Sequence, residues 1–290
     1  MSIVDLRGSP PEGPVETDVC IIGAGAAGLT VASELGRAGR DVVLLESGGF
    51  APEEETQALN DLEVAGYPVR ERFTSRARYY GGSCNLWAGR SMWLSPEDLA
   101  PENDPENEGW PLSHAELSEW YPDAARVLRL PDIGGYEEAV RLGGLSRGER
   151  ALFDSGFVTP AISLWARSPM RFGSAYRAEL RRSERVRVLL NGNALRLRSE
   201  PNGRTVAAIE AAVLHGPAFE IRARRFVVAC GGVENARLLL LSQLGNDHDL
   251  VGRYFMDHPR TVFGHLRLDS KARLPFLGGR PVPDGKLQLG

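Results

Sequence analysis

The sequence predicts an α/β protein: a mostly parallel sheet carrying a β-meander insertion, followed by the start of an antiparallel-sheet domain. Three stretches predict it. "DVCIIGAGAAGL" (18–29) is a buried strand, a glycine turn and a helix start; residues 186–230 read as short strands separated by turn residues; and "FVVACGGVENARLLLL" repeats the strand, glycine pair and helix. A strand-to-helix unit met twice, with a meander before the second, puts helices against a parallel sheet.

Composition bounds the answer. A length of 290 residues suits one large domain or two ordinary ones of ~100 to 200 residues. Hydrophobic residues at 42% and charged residues at 25% match ordinary globular proteins and argue against a disordered or fibrous chain. A formal charge of −4 gives no global attraction to nucleic acid or to anionic lipid. The basic run "RAELRRSERVR" (177–187) therefore reads as a solvated helix face. Residues 1–16 read as a loose tail without a basic or apolar leader pattern, and no apolar run reaches the ~18 residues of a membrane helix. Cys20, Cys84 and Cys230 are odd in number and widely spaced, which points to a reducing cytoplasm rather than a disulfide framework or a CxxC metal pair.

The first element in chain order is the strand around Val19, Ile21 and Ile22, which runs into Gly23, Gly25 and Gly28 as G-x-G-x-x-G. The first glycine allows the tight turn, the second lets a pyrophosphate approach the backbone, and the third lets the helix lie close on the strand. The helix, with Leu29, Ala32 and Leu35 at helical spacing and Gly39 as its stop, turns its amino-terminal N–H groups to the phosphates. The next strand, "DVVLLE", ends at Glu46, eighteen residues after Gly28. That is close to the ~20 expected of the acid that binds a ribose 2′-hydroxyl, and a carboxylate there disfavours NADP. This Rossmann-like unit does not itself decide between NAD and FAD.

The chain then leaves the pattern over 51–185, read as an insertion with helices and the loop "GGSCNLWAGR" (81–90). It returns through "VRVLL" (186–190), "NALRLR" (193–198), "TVAAIEAAVL" (205–214) and "AFEIRARRFVVAC" (218–230), read as successive meander strands. Gly231 and Gly232 form the second glycine approach, and Leu238, Leu241 and Leu244 mark one face of the helix that follows. These boundaries make 17–246 one domain and 247–290 the incomplete beginning of another.

Five segments, "GAGAAG", "LLESGG", "GGSCNLWAGR", "VVACGGVENARLLL" and "VGRYFMDHP", together resemble the glucose–methanol–choline family of FAD-dependent oxidoreductases, from about Asp18 to His258. The resemblance implies FAD. It assigns the pyrophosphate turn to Gly23, Gly25, Ala27 and Gly28, the adenosine ribose to Glu46, and the flavin loop to Gly81, Gly82, Ser83 and Asn85. It places the backbone of Ala194 at the adenine, and Gly231 and Gly232 at the second close approach. Some relatives attach the flavin to a histidine just before the tryptophan; Leu86 stands there, which implies non-covalent FAD, and Cys84 reads as a small buried thiol rather than a thioether. Within "GWPLSHAELSEWYPDAARVL" (109–128), Ser113 to Glu116 reads as a capping box and Pro122 as a helix first turn. Trp110, Trp120 and Tyr121 then read as packing residues.

The resemblance further implies hydride transfer from a CH–OH donor, a sugar, polyol or other alcohol, to flavin N5, with a base near the working pH taking the hydroxyl proton. Relatives carry that base in a carboxy-terminal segment. No such segment precedes the final "GGRPVPDGKLQLG", so the catalytic residue is unknown and the chain reads as a fragment, with "RTVFGHLRLDS" (260–270) opening a substrate-binding sheet. His258 is the one histidine considered for a catalytic part, and the resemblance treats it as structural. His248, Asp249 and His258 match no zinc-ligand spacing, so no metal is expected. The expected partners are a small-molecule alcohol or sugar and an electron acceptor or missing carboxy-terminal half, with no nucleic acid and no membrane insertion. Two alternatives stay open: a non-catalytic FAD-binding module or partner-dependent subunit, and an NAD-dependent dehydrogenase.

Overall fold

A computed structural model describes residues 2–66, 75–100, 110–132, 162–200, 203, 205–256 and 280–289. The strands in chain order are β1 (Ile3–Asp5), β2 (Val15–Ile22), β3 (Val42–Leu45), β4 (Arg90–Ser91), β5 (Ile162–Ala166), β6 (Val186–Leu190), β7 (Gly192–Ser199), β8 (Val206–Val213), β9 (Ala218–Val228), β10 (Arg280–Val282) and β11 (Gly285–Leu289). Three longer helices are α1 (Ala26–Arg37), α2 (Phe172–Arg182) and α3 (Gly232–Ser242). The chain divides into two compact units, Met1–Leu86 with Arg171–Pro259, and Trp87–Met170 with Arg260–Gly290.

The first unit is a seven-stranded sheet in the order β1-β6-β3-β2-β9-β8-β7. Strands β1, β6, β3, β2 and β9 run parallel, and β8 and β7 close the far side antiparallel. The near-continuous apolar runs of β2 and β3 follow from burial on both faces. On one face Cys20, Ile22, Val43, Leu45 and Leu189 share a core with Leu197, Ile209 and Ile221 of the meander and Leu238 of α3. Ile21, Leu44 and Val188 alternate to the other face and are also fully buried. Each such side chain removed from water contributes roughly 1.5–3 kcal/mol.

Strand β9 explains how the meander joins the sheet. Its first half pairs antiparallel with β8, Ala212 opposite Ala218, and its second half pairs parallel with β2, Ile22 opposite Val228. Ile221 faces partners on both sides.

Four expectations need correction. The tail expected over 1–16 is not wholly loose: Ile3–Asp5 pairs parallel with β6, and β2 begins at Val15. Edge pairing satisfies backbone groups that a short sequence pattern does not advertise. Strand β6 is not a meander strand but lies between β1 and β3. Leu241 of α3 is exposed and Leu238 buried, so the apolar face is narrower than the leucine run suggests. Trp110 and Trp120 are exposed rather than packed.

The second unit holds a four-stranded antiparallel sheet, β10-β11-β5-β4, so the expected insertion contributes β4 and β5 to it. Gly285 passes against the Trp165 carbonyl, where a Cβ would stand 2.0 Å from the oxygen. The Trp87 indole N–H donates to the Met170 carbonyl at 2.9 Å. The Ser113–Glu116 capping box and Pro122 in a helix first turn are present. The expected strand in 260–270 lies outside the described residues.

Candidate functional site

The site forms where parallel strands end. Beyond β2 comes the turn Gly23–Gly25 and helix α1; beyond β3 come Glu46, Ser47 and Gly48; beyond β9 come Ala229 to Gly232 and helix α3. Ligands of open α/β sheets bind at the carboxyl ends of the strands. Backbone bonds lock these ends together: Gly23 N–H donates to the Leu45 carbonyl at 2.7 Å, Ala229 N–H to Ile22 at 2.8 Å, and Glu46 N–H to Leu189 at 2.8 Å.

The loop of residues 81–85 is laid onto the first glycine turn. Gly81 N–H donates to the Ala24 carbonyl at 2.8 Å, and a Cβ on Gly82 would stand 2.9 Å from the Gly25 Cα. Gly81 has φ 104°, and a Cβ there would meet the Asn85 side chain at 2.6 Å. Asn85 donates from Nδ2 to the Tyr80 carbonyl at 3.1 Å and so holds the loop. The Ser83 hydroxyl accepts the Ala77 N–H at 3.2 Å.

These segments enclose a cleft of about 510 Å³. Of the expected residues, Gly23, Gly25, Ala27, Glu46, Gly82, Ser83, Ala194, Gly231 and Gly232 line it. Gly28 lies beneath, where a Cβ would stand 1.9 Å from the Gly23 carbonyl oxygen, so it serves helix packing. Gly81 and Asn85 shape the loop without lining the cleft. His258 lies outside the described residues.

Packing explains none of three glycines on the cleft wall, and only at Gly231, with φ 86°, does the backbone itself call for glycine. A Cβ at Gly25, Gly231 or Gly232 would meet no protein atom within 4 Å. The space beside them is the cleft itself, and Gly25 is the N-cap of α1 with no side-chain cap and no acid in the first turn. A helix start without a side-chain cap and with open approach to the backbone fits a diphosphate. Glu46, 5% exposed, accepts the Ala24 N–H at 2.7 Å and the Gly48 N–H at 2.9 Å while facing the cleft. Burial pushes its carboxyl above the usual range, against the pull of those N–H groups. The donor set, a helix start, a fixed carboxylate at the neighbouring strand end and two glycine approaches, fits FAD.

Cys84 and Cys230 also line the cleft. Burial pushes the Cys84 thiol up, against the Ala26 N–H and Arg171, and pushes Cys230 up to about 12. A thiol held protonated is a poor nucleophile, so neither favours a thioether.

Sequence reading missed one group in the cleft: Arg76, Arg78, Glu234 and Arg237. Arg78 Nη2 stands 2.8 Å from Glu234 Oε2, Arg76 Nη1 3.5 Å from Glu234 Oε1, and Arg237 Nε 2.8 Å from Glu234 Oε2. Burial pushes the Glu234 carboxyl up, but Arg78 and Arg237 outweigh it and hold the group below the usual carboxylate range. The available signal was positional: "RAR" stands before one glycine pair and "VENAR" after the other.

Residues 18–265 match the family model described as FAD dependent oxidoreductase. The chain is 28% identical to 6'''-hydroxyparomomycin C oxidase of Streptomyces lividus, over 81% of this chain and 53% of that protein. It is 26% identical to 2-methyl-1,2-propanediol dehydrogenase of Mycolicibacterium austroafricanum (88% and 57%) and 28% identical to paromamine 6'-oxidase of Streptomyces fradiae (82% and 51%). Pyridoxine 4-oxidase from Mesorbium loti shares the fold at a TM-score of 0.51 and 20% identity, over 81% of this chain and 53% of that one. Formate oxidase shares it at 0.51 and 17%, over 80% and 48%. The chain spans about half the length of these relatives.

Proposed function

The chain belongs to the FAD dependent oxidoreductase family, in its glucose–methanol–choline branch, and from that premise we propose that it holds non-covalent FAD for oxidation of the CH–OH group of a small sugar, polyol or other alcohol. The observation that supports the reading is the cleft wall at Gly25 and Gly232, where an added Cβ would meet no other part of the chain within 4 Å, beside the buried carboxylate of Glu46. The relatives' names, two aminoglycoside oxidases and a diol dehydrogenase, support the donor class.

FAD, when bound, supplies the acceptor for a hydride at flavin N5. The chain's own residues orient it. The α1 start, with Gly23, Gly25 and Ala27, faces the pyrophosphate; Gly28 lets that helix come close. Glu46 would accept from the adenosine ribose, and the Ala194 backbone would hold the adenine. Gly82 and Ser83, on the loop that Gly81 and Asn85 shape, would back the flavin, while Gly231 and Gly232 would give the second approach. Leu86 in the place of a linking histidine leaves the flavin unattached. The base that takes the hydroxyl proton is assigned to no described residue. The electron acceptor would be oxygen, a quinone or another acceptor, and the protein is placed in the cytoplasm. Among the described residues no helix is long and apolar enough to cross a membrane.

The test is the visible spectrum of the purified protein after incubation with excess FAD and desalting. A retained flavin band that a sugar or diol bleaches supports the reading in full. A band that no alcohol bleaches limits the chain to holding FAD, and a colourless protein overturns the reading.

A further inference from the structure

Three arginines and one glutamate meet within the cleft, from two stretches that the parallel sheet does not itself join. Arg76 and Arg78 stand on the segment leading into the glycine loop, and Glu234 stands in the first turn of α3, just after the second glycine pair. Arg78 is a junction. Besides Glu234 it donates from Nε to Asn60 Oδ1 at 2.8 Å, from Nη1 to Ser47 Oγ at 3.4 Å, and from Nη2 to the Leu59 carbonyl at 3.4 Å. Arg76 donates from Nη2 to the Asn60 carbonyl, while its buried Nη1 makes no hydrogen bond and is held by Glu234 through charge at 3.5 Å. The Arg78 and Glu234 side chains are 12% and 11% exposed.

A buried ion pair adds little net stability over apolar packing, because desolvation offsets attraction; what it fixes is geometry. Here the geometry fixed is that of two cleft walls.

We propose that Glu234 is a positioning residue for the cofactor: by holding Arg78 and Arg76 it fastens the segment before the glycine loop to the helix after the second glycine pair, and so sets how slowly FAD leaves. The proposal rests on the FAD reading above.

The experiment measures FAD release and capture by flavin fluorescence, with melting of the cofactor-free protein alongside. In Glu234→Gln, which keeps the shape and removes the charge, release is expected to accelerate about tenfold, the rate equivalent of ~1.4 kcal/mol. The capture rate stays within about twofold, since such changes act mainly on dissociation; melting of the cofactor-free protein falls, because Gln leaves half-buried guanidinium groups uncompensated, but by less than melting of the FAD-bound protein. Glu234→Asp, which keeps the charge, is expected to recover part of the slow release. Arg76→Gln is an independent arm, with release several-fold faster than wild type, on the order of one lost ion pair. Wild-type release rates in Glu234→Gln and Arg76→Gln overturn the proposal while leaving the FAD reading intact. Equal loss of stability with and without FAD in Glu234→Gln also overturns it, because Glu234 is then a plain structural partner. A wild-type protein that captures no FAD overturns the functional reading and this proposal with it.

Discussion

The Glu46 carboxylate and the Ala24 backbone N–H meet at 2.7 Å, joining the end of β3 to the turn after β2. The second carboxylate oxygen takes the Gly48 N–H at 2.9 Å. Both bonds need an acceptor, and an amide offers only one oxygen. Glu46→Gln therefore leaves one N–H facing an NH₂ group, and the cofactor-free protein is expected to lose about 1–3 kcal/mol. FAD affinity is expected to fall about ten- to a hundredfold, the loss of one charged hydrogen bond to the ribose. Thermal melting and a flavin titration check the two halves separately.

Gly25 and Gly28 separate ligand approach from packing. Gly25 has φ −80°, which any residue adopts, and a Cβ there touches no protein atom within 4 Å. Gly25→Ala is expected to change the stability of the cofactor-free protein by less than about 0.5 kcal/mol, yet to abolish retention of FAD on desalting, because the methyl occupies the phosphate approach. At Gly28 a Cβ would stand 1.9 Å from the Gly23 carbonyl oxygen, so Gly28→Ala is expected to cost about 3 kcal/mol or more. Denaturant midpoints of both variants decide it; equal losses would sink the distinction.

What the sequence made legible was local. The G-x-G-x-x-G turn, Glu46 and the second glycine pair are set by backbone demands within a few residues, and they come together at the strand ends. Pairing was not legible: nothing in "VRVLL" tells whether β6 joins the meander or the parallel sheet, because an apolar run buried on both faces carries no orientation. The strand at Ile3–Asp5 is too short to show a period. The ion cluster on Glu234 escaped for a different reason, since Arg76 and Arg78 lie more than 150 residues before Glu234 in the chain and only the folded chain brings them within 4 Å. The leucines of α3 suggest a wider apolar face than the helix has: four successive leucines must circle the helix, and they cannot all face inward.

The contrast between Leu238 and Leu241 gives a direct test on α3. Leu238 is 2% exposed and packs in the core shared by β2, β3 and the meander, whereas Leu241 is 52% exposed. Leu238→Ala is expected to cost about 2–5 kcal/mol through lost burial and a residual cavity, and Leu241→Ala less than about 0.5 kcal/mol. Urea unfolding of the two variants checks it, and comparable losses would show that the α3 face is wrongly placed.

The amino-terminal strand carries its own pH signature. Asp5, the last residue of β1, accepts from the Arg7 side chain and backbone N–H and from Asn191 Nδ2 at 2.7 Å. Arg7 also reaches Glu53 at 2.9 Å. The Arg7 guanidinium, against a burial effect and with help from Asn191, holds the Asp5 carboxyl down at about 2. A carboxyl depressed in the folded state contributes stability that is fully present above its unfolded pKa, ~3.8, and is lost as pH falls through about 2. Because Asp5 is half-exposed, screening limits the contribution to about 1 kcal/mol or less. Between pH 5 and pH 2 the urea midpoint of wild type is therefore expected to fall further than that of Asp5→Asn, and the two are expected to converge at the acid end. Parallel curves across that window would mean that Asp5 does not tie β1 to the sheet through its charge.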